Sequence, residues 1–367
     1  MGNNKLKAAV LMGGIGEERK ISLQSGKCVA DALQEAGLDV TAADITPDNM
    51  EILDDGNIDV FFLALHGEFG EDGRLQQILE DKSLVYTGSG PKASRLAFDK
   101  MASKRAFVKA GVLTPPVVEF DAHSDIRKIE KQMQGFGGKY VVKPIRQGSS
   151  VGVSIVGEID SAIKAARKCL DEFGDCMIEK FITGREVTVG ILCGRTLPII
   201  EIRAKTGFYD YQAKYIDDNT EYLFDTIKDP AVEDRIASAA MDCFNALDCR
   251  HFARVDFILT DDGNTHALEV NTIPGFTSHS LLPKAAAKIG VRLASSVALV
   301  TVVWVTAAPQ NDTSMPKSPP ARISQPTWRR LGWGRLMSAQ SPRIGSAKTN
   351  RQKLVGCGPT SEMRMAM

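Results

Sequence analysis

Apolar runs alternate with amphipathic stretches along the first 95 residues of the chain. KAAVLMGG, DVTAAD, DVFFLALHG and LVYTGS have the continuous apolar character of buried strands. Between them, ISLQSGKCVADALQEAG and GRLQQILEDK show helical spacing, and Gly37 is the predicted stop of the first helix. Strands that alternate with helices predict a parallel, doubly wound α/β sheet, in which ligands gather at the carboxyl ends of the strands.

The pattern changes after residue 95. SRLAFDKMASKRAFVKAG predicts one helix that ends at Gly111, and KYVVKPIRQGSSVGVS then gives a strand, a glycine-containing loop and a second strand. A further module runs from REVTVGILCG to THALEVNT around the helix PAVEDRIASAAMDCFNALD. Hairpins combined with helices are typical of α+β units. We therefore expect domains at 1–95, 96–183 and 184–291, with an atypical tail at 292–367.

Composition excludes several function classes. The 367 residues carry 45 basic and 45 acidic side chains, so the net charge favours neither nucleic acid nor a membrane as partner. The seven cysteines form no C-x-x-C pair and no Cys/His cluster with metal spacing, which suits reduced thiols in a cytoplasm. The first apolar run is short and predicts a strand, so we expect no signal peptide.

The tail differs from the rest of the chain. LASSVALVTVVWVTAA, at 293–308, is shorter than the ~20 residues that span a membrane, so we expect a buried segment or an artefact of the chain end. Residues 309–367 carry 10 basic and 2 acidic side chains and show no periodic pattern. We expect the tail to be non-native, and disordered beyond about Pro309; the alternative is a genuine basic extension that binds a surface.

The loop that follows Lys143 has the composition of an anion-binding loop. Backbone N–H groups of small residues can approach an anion closely, hydroxyls add donors, and the lysine adds a charge. Lys143, Gly148, Ser149 and Ser150 are therefore predicted to form a phosphate lid, although no G-x-x-x-x-G-K-[ST] motif is present. An ordinary Gly/Ser hairpin turn is the alternative.

ARVDFILTDDGNTHALEVN predicts two strands joined by a TDDGN turn. Because side chains alternate along a strand, Arg254 and Asp256 share one face of the first strand, and Glu269 and Asn271 share one face of the second. Two carboxylates and an amide oxygen suit Mg²⁺ shared with substrate phosphates, with Arg254 left to neutralise developing charge. The alternative is the solvated face of an edge hairpin.

Several motifs together resemble the D-alanine–D-alanine ligases of the ATP-grasp superfamily. In order over residues 6 to about 290, they are GGIGEER, ALHGEFGEDGRLQ, VVKPIRQGSSVG, IEKFITGREVTV, FYDYQAKY, ARVDF and LEVNTIPGFTSHSLLP. The resemblance implies an α/β domain followed by a two-lobed ATP-grasp fold. It also implies ATP-dependent joining of two D-alanine molecules for peptidoglycan synthesis, two Mg²⁺ per site with Mn²⁺ as a possible substitute, and a homodimer in a bacterial cytoplasm.

The same resemblance assigns roles to individual residues. It implies ATP binding by Lys100, Lys143, Ser150, Glu179, Lys180, Phe181, Ile182, Glu186 and Lys214. It implies magnesium binding by Asp256, Glu269 and Asn271. Glu18 and His66 would hold the first D-alanine, and Ser280 and Leu281 the carboxylate of the second.

The remaining implied roles concern catalysis and closure. Arg254 and the Gly275 N–H would form an oxyanion hole, and Glu18 would join a network with Ser149 and Tyr215. Tyr215 favours D-alanine over D-lactate as second substrate. Two alternatives stay open: a ligase that uses D-lactate or D-serine as the second substrate, and a non-catalytic nucleotide-binding protein.

Overall fold

Three β-sheets with helices packed against them make up the part of the chain that the computed structural model describes, residues 5–204, 220–277 and 279–307. The first sheet is parallel, with β1 (Lys7–Gly13) between β2 (Asp39–Ile45) and β3 (Val60–Leu63). LVYTGS contributes only a single bridge, between Tyr86 and Phe61.

Both faces of this first sheet are covered. The helix α1 (Arg19–Glu35) packs on one face, and α2 (Arg74–Asp81) belongs to the core on the other, where a 3₁₀ turn, Glu51–Asp54, also lies. Alternate residues of β1 enter the two cores, as expected of a strand buried on both sides. The predicted doubly wound α/β arrangement is confirmed.

The single helix predicted after residue 95 is wrong. The chain forms two helices, α3 (Pro91–Phe98) and α4 (Lys100–Lys109), separated by Asp99 in an extended conformation. The Asp99 carboxylate accepts a hydrogen bond from the Ala102 N–H at 2.8 Å and so caps α4. Lys100 thereby becomes the first residue of α4, and its backbone N–H donates to the Ile145 carbonyl at 3.2 Å, beside the predicted phosphate lid.

The second sheet is antiparallel and small. Its strand order is β4 (Val117–Phe120), β7 (Cys176–Lys180), β5 (Tyr140–Pro144) and β6 (Ser154–Val156). Two helices, α5 (Ile126–Met133) and α6 (Ile159–Phe173), bury their apolar residues against it and form a separate core.

The third sheet is also antiparallel. Its order is β11 (Thr220–Leu223), β10 (Ile200–Ala204), β8 (Arg185–Leu192), β12 (Phe252–Leu259) and β13 (Thr265–Asn271), with β9 (Arg195–Thr196) paired to β8. The helix α7 (Pro230–Ala246) packs on one face, and α8 (Leu281–Lys288) packs on the other. A Cβ on Gly190 would lie 2.7 Å from Leu282 Cδ1, so this glycine allows α8 to approach β8 closely.

The first part of the predicted atypical tail is ordered and helical. The helix α9 (Leu293–Ala307) packs on α1, and Val297, Ala298 and Val300 are fully buried in the same core as Val29. The expectation of a buried segment is confirmed for these residues, whereas the expectation of a non-native tail stays a prediction. Residues 308–367, including those expected to be disordered, lie outside the described residues. Among described residues, no helix has the length and apolar character needed to span a membrane.

Candidate active site

Two adjoining cavities lie among the three sheets. The first, here the hinge cavity, measures about 370 Å³ and is lined by residues of β5, β7, β8, β10, β12 and β13. The second, the N-terminal cavity, measures about 590 Å³ and is lined by residues of α1, β13 and the segment before α8. Lys100, Gln147, Gly148 and Glu269 line both cavities, so a ligand in one can react with a ligand in the other at this junction.

The acidic face of the third sheet follows from strand register. Arg254 pairs with Asn271, and Asp256 pairs with Glu269, before a bulge that follows Asp256. Arg254 donates to both Asp256 oxygens, from Nε and NH2, at 2.9 Å each. The Thr188 hydroxyl on β8 donates to Asp256 Oδ1 at 2.6 Å, which fixes the orientation of this buried carboxylate. Thr188 belongs to none of the motifs named above, so sequence analysis did not single it out.

The donor chemistry of this face fits magnesium. Asp256 and Glu269 offer carboxylates, and Asn271 offers an amide oxygen that already accepts from the Ile273 N–H at 2.9 Å. Within the described residues, no group of three or more His, Cys, Asp or Glu forms a metal cage. Mg²⁺ is commonly held by one or two carboxylates plus substrate phosphates, so a cage is not required.

Two lysines face this acidic side of the junction. Lys100 Nζ lies 3.7 Å from Glu269 Oε2 and also donates to the Gln147 carbonyl. Lys143, at the end of β5, has its ammonium 2.8 Å from Glu179 Oε2. Both lysines are largely buried, so their charges are held close to whatever occupies the hinge cavity.

Behind Lys143 lies a buried ionic pair that sequence reasoning missed. Lys104, on α4, approaches the second oxygen of Glu179 at 2.5 Å, and both side chains are almost fully buried. Burial lowers the pKa of Lys104 to about 8. Burial alone would raise the pKa of Glu179, but Lys104 and Lys143 outweigh it and lower that pKa. The only sequence signal was the helical spacing of Lys104 from Lys100.

The strand β7 and the residues after it form the wall of the hinge cavity. The Lys180 N–H donates to the Pro116 carbonyl and the Phe181 N–H to the Lys139 carbonyl, each at 2.9 Å. These bonds fix the path of the backbone at two of the predicted ATP-binding residues, and Ile182 and Glu186 line the same cavity.

Two arginine side chains also line the hinge cavity. Arg185 and Arg203 bracket the Glu201 carboxylate at 3.0 and 2.6 Å. Burial would raise the pKa of Glu201, but its hydrogen bonds, led by that from Arg203, lower it. Glu201 therefore stays ionised, and each of its two oxygens is paired with an arginine.

Glu18 and Ser149 meet across the N-terminal cavity. Ser149, at a φ of +52°, donates its hydroxyl to Glu18 Oε1. A Cβ on Gly67 or on Gly148 would lie 2.4 or 3.0 Å from Glu18 Oε2, so the carboxylate fits between two glycines. The predicted contact between Glu18 and Ser149 is therefore present.

His66 lies at the floor of the N-terminal cavity. Its Nε2 is 3.2 Å from the Ser25 hydroxyl, and its Nδ1 is 3.6 Å from Glu71 Oε1. Burial raises the pKa of the Glu71 carboxyl. Sequence reasoning singled out His66 but missed Ser25 and Glu71, which hold the imidazole from both sides.

The segment before α8 closes the other side of the N-terminal cavity. Ser280 is the N-cap of α8 and Leu281 is its first residue, so the N-terminus of the helix faces the cavity. Helix N-termini favour carboxylates because their N–H groups are unsatisfied. A Cβ on Gly275 would lie 2.7 Å from Ser280 Oγ, which indicates close packing of this backbone.

The structure brings most of the predicted site residues together. Lys214 and Tyr215 lie outside the described residues, so their predicted positions are not addressed. The other predicted residues line the hinge cavity, the N-terminal cavity, or both. The assignment of a ligand to each of them stays a prediction.

Most of the chain is similar to known sequences. The family described as "D-ala D-ala ligase C-terminus" matches residues 108–301. A D-alanine–D-alanine ligase of Methylacidiphilum infernorum is 42% identical over 286 residues, which cover 78% of this chain and 91% of the relative. The corresponding ligase of Syntrophotalea carbinolica is 43% identical over 285 residues. The family match extends to residue 301 and so includes the first part of the segment that was expected to be an atypical tail.

Solved structures give the same picture. A Bacillus anthracis D-alanine–D-alanine ligase complexed with ATP aligns with a TM-score of 0.72 and 34% identity, covering 82% of this chain and 97% of that one. A D-Ala:D-Ser ligase of Enterococcus faecalis aligns with a TM-score of 0.70 and 27% identity, covering 82% and 100%. The predicted combination of an α/β domain with an ATP-grasp fold is thus confirmed.

Proposed function

Because the chain belongs to the D-alanine–D-alanine ligase family, we propose that its two adjoining cavities join two D-alanine molecules at the cost of one ATP. The observation that carries this proposal is the junction, where Lys100 and Glu269 line both cavities. A nucleotide in the hinge cavity would present its terminal phosphate there, and an amino acid in the N-terminal cavity would present its carboxylate.

The first step is phosphoryl transfer. The carboxylate of the first D-alanine attacks the γ-phosphorus of ATP, the bond to the β-phosphate oxygen breaks, and ADP and D-alanyl phosphate form. Lys100 and Lys143 stabilise the negative charge that is spread over the phosphoryl oxygens. Ser149 and Ser150 cover the phosphates and help to exclude water, which would hydrolyse the acyl phosphate.

Asp256, Glu269 and Asn271 would hold magnesium, with two ions as the family resemblance implies. When bound, magnesium supplies charge neutralisation and orientation of the phosphates. The contributions of the chain itself are the Thr188 hydrogen bond that orients Asp256 and the strand register that places Glu269 beside it.

Glu18 and His66 would orient the first D-alanine. The Glu18 carboxylate lines the N-terminal cavity and accepts a hydrogen bond from Ser149 of the phosphate lid, so it suits the ammonium group of an amino acid. His66, held by Ser25 and Glu71, fixes the floor beneath it. The substrate carboxylate is then left to face the junction.

The second step joins the two amino acids. Ser280 and Leu281 at the start of α8 hold the carboxylate of the second D-alanine. Its amine attacks the carbonyl carbon of D-alanyl phosphate, a proton leaves the nitrogen, and the carbon–oxygen bond to phosphate breaks. Arg254 and the Gly275 N–H stabilise the oxyanion of the tetrahedral intermediate.

Two other compounds are alternatives to D-alanine as the second substrate. The similarity to a D-Ala:D-Ser ligase makes D-serine the alternative to test beside D-lactate. We further propose a cytoplasmic homodimer that supplies the dipeptide to peptidoglycan synthesis.

The test is ADP release by the full chain with ATP, Mg²⁺ and D-alanine, followed by the mass of the product. L-alanine serves as the matched control, and D-serine and D-lactate compete in parallel. ADP that depends on D-alanine, with a dipeptide mass, supports the proposal. Saturable ATP binding without any dipeptide would overturn it in favour of a non-catalytic nucleotide-binding protein.

A further inference from the structure

The carboxylate of Glu179 is shared between two lysines that have different surroundings. Lys143 lines the hinge cavity, whereas Lys104 is not among the residues that line either cavity. The ammonium of Lys143 lies 2.8 Å from one Glu179 oxygen, and that of Lys104 lies 2.5 Å from the other. The three groups therefore form a line of alternating charge that runs from α4 to the cavity.

The charge balance of this line depends on Lys104. With all three groups ionised, the net charge is one positive, and the lysine at the cavity end can act on a ligand. Without Lys104, Glu179 would be neutralised by Lys143 alone, and the net charge at the wall would be zero. Because a buried carboxylate is costly without a cationic partner, Glu179 would then hold Lys143 more tightly.

A second contact ties Lys104 to the acidic face. Its ammonium also bonds to the Thr114 hydroxyl, which donates to the Ala267 carbonyl at 2.9 Å on β13. The same strand carries Glu269 two residues further along. Lys104 thus connects α4 with β7, which carries Glu179, and with β13, which carries Glu269 and Asn271.

We propose that Lys104 is a positioning residue for ATP: by neutralising Glu179 it leaves the charge of Lys143 available to the phosphates. The inference deepens the proposed function and rests on its assignment of Lys143 to ATP. A lysine that merely fills the core would affect folding and both substrates alike. Lys104 instead is expected to affect ATP selectively.

The test compares Lys104→Met with Lys109→Met, which changes an exposed lysine on the same helix. Steady-state rates of ADP release give the KM values for ATP and D-alanine separately, and thermal unfolding reports the folded fraction. Lys104→Met is expected to raise the KM for ATP about tenfold, as for a lost charge-assisted contact, with less than a twofold change for D-alanine. Lys109→Met is expected to change neither.

A double variant separates charge from packing. If Lys104 acts by neutralising Glu179, then Glu179→Gln should relieve the defect of Lys104→Met, and the double variant should resemble Glu179→Gln alone. The double variant removes the buried carboxylate together with Lys104, and the one charge of the three that remains is that of Lys143, which lines the hinge cavity. It therefore carries the test even if Lys104→Met fails to fold. Additive effects of the two changes, or equal rises in both KM values, would overturn the inference.

The variant Lys143→Met tests the assignment of Lys143 to ATP separately from the role of Lys104. If Lys143→Met leaves the KM for ATP unchanged, the assigned ATP site is wrong. If Lys143→Met raises that KM and Lys104→Met does not, only the role of Lys104 is wrong.

Discussion

His251 is a buried histidine that should make the stability of the fold depend on pH. It lies just before β12 with a φ of +68°, and its Nδ1 accepts a hydrogen bond from the Gly88 N–H at 3.0 Å. Burial, and then the neighbouring charge of Arg250, lowers the pKa of His251 well below 6.5. The imidazole is therefore neutral in the folded chain. It joins the N-terminal domain to the strand that carries Arg254.

The sign and size of the effect follow from linkage. Because the folded pKa is lowered, the unfolded chain binds a proton on His251 at pH values where the folded chain does not. The stability contribution is present in full above about pH 6.5 and is lost progressively as the pH falls from there toward the lowered pKa of the folded state. Between pH 7.5 and pH 5.5, this single group should reduce the free energy of unfolding by about 1.4 kcal/mol.

His251→Asn is the variant that isolates this effect. Asparagine keeps a hydrogen-bond acceptor and tolerates a positive φ, but it does not titrate. Urea unfolding of both proteins at pH 7.5 and pH 5.5 measures the change, which should be smaller in the variant by about 1.4 kcal/mol. His123→Asn, at an exposed position, is the matched control. An unchanged pH dependence in His251→Asn would show that His251 is not kept neutral by the fold.

Three further predictions concern the site and the end of the chain. Thr188→Val removes the hydroxyl that orients Asp256, so the Mg²⁺ concentration for half-maximal ADP release should rise about tenfold or more, and an unchanged Mg²⁺ titration would contradict this. Glu18→Gln should raise the KM for D-alanine about tenfold and leave that for ATP unchanged; an ATP-selective effect in the same rate assay would place Glu18 elsewhere. Val297→Ala, in the fully buried part of α9, should lower the free energy of urea unfolding by about 2 kcal/mol, and no loss would mean that this helix does not pack on α1.

The acidic face was predictable from the sequence because its geometry is local. Arg254, Asp256, Glu269 and Asn271 lie on two strands joined by a short turn, and side-chain alternation alone assigns them to one face. The bulge after Asp256 was not predicted, since the three apolar residues that follow, Phe257, Ile258 and Leu259, give no alternation that would reveal a shift of register. It falls beyond the four site residues and leaves their pairing intact.

The break at Asp99 was missed for a different reason. The apolar spacing of SRLAFDKMASKRAFVKAG continues through Asp99 in helical register, so periodicity predicts one helix. The Asp99 carboxylate instead accepts a hydrogen bond from the Ala102 N–H and starts a new helix. Such a bond between a side chain and the backbone competes with a continuous helix, and apolar spacing does not reveal it. The break at Asp99 matters for function because it makes Lys100 the first residue of a helix beside the phosphate lid.

A functional role could be predicted from the sequence for Lys143 but not for Lys104, because the burial of Lys104 depends on a distant partner. Lys143 precedes a loop of small and hydroxyl residues, so its surroundings in the sequence already indicate an anion. Lys104 lies in the same helix as the exposed Lys109, and its own burial depends on Glu179, which comes from β7 of the second sheet. A buried lysine is tolerated only with such a partner, so neither residue can be understood without the other. If the charge of Glu179 is the reason that Lys104 is buried, removing both charges should cost the fold less than removing either one.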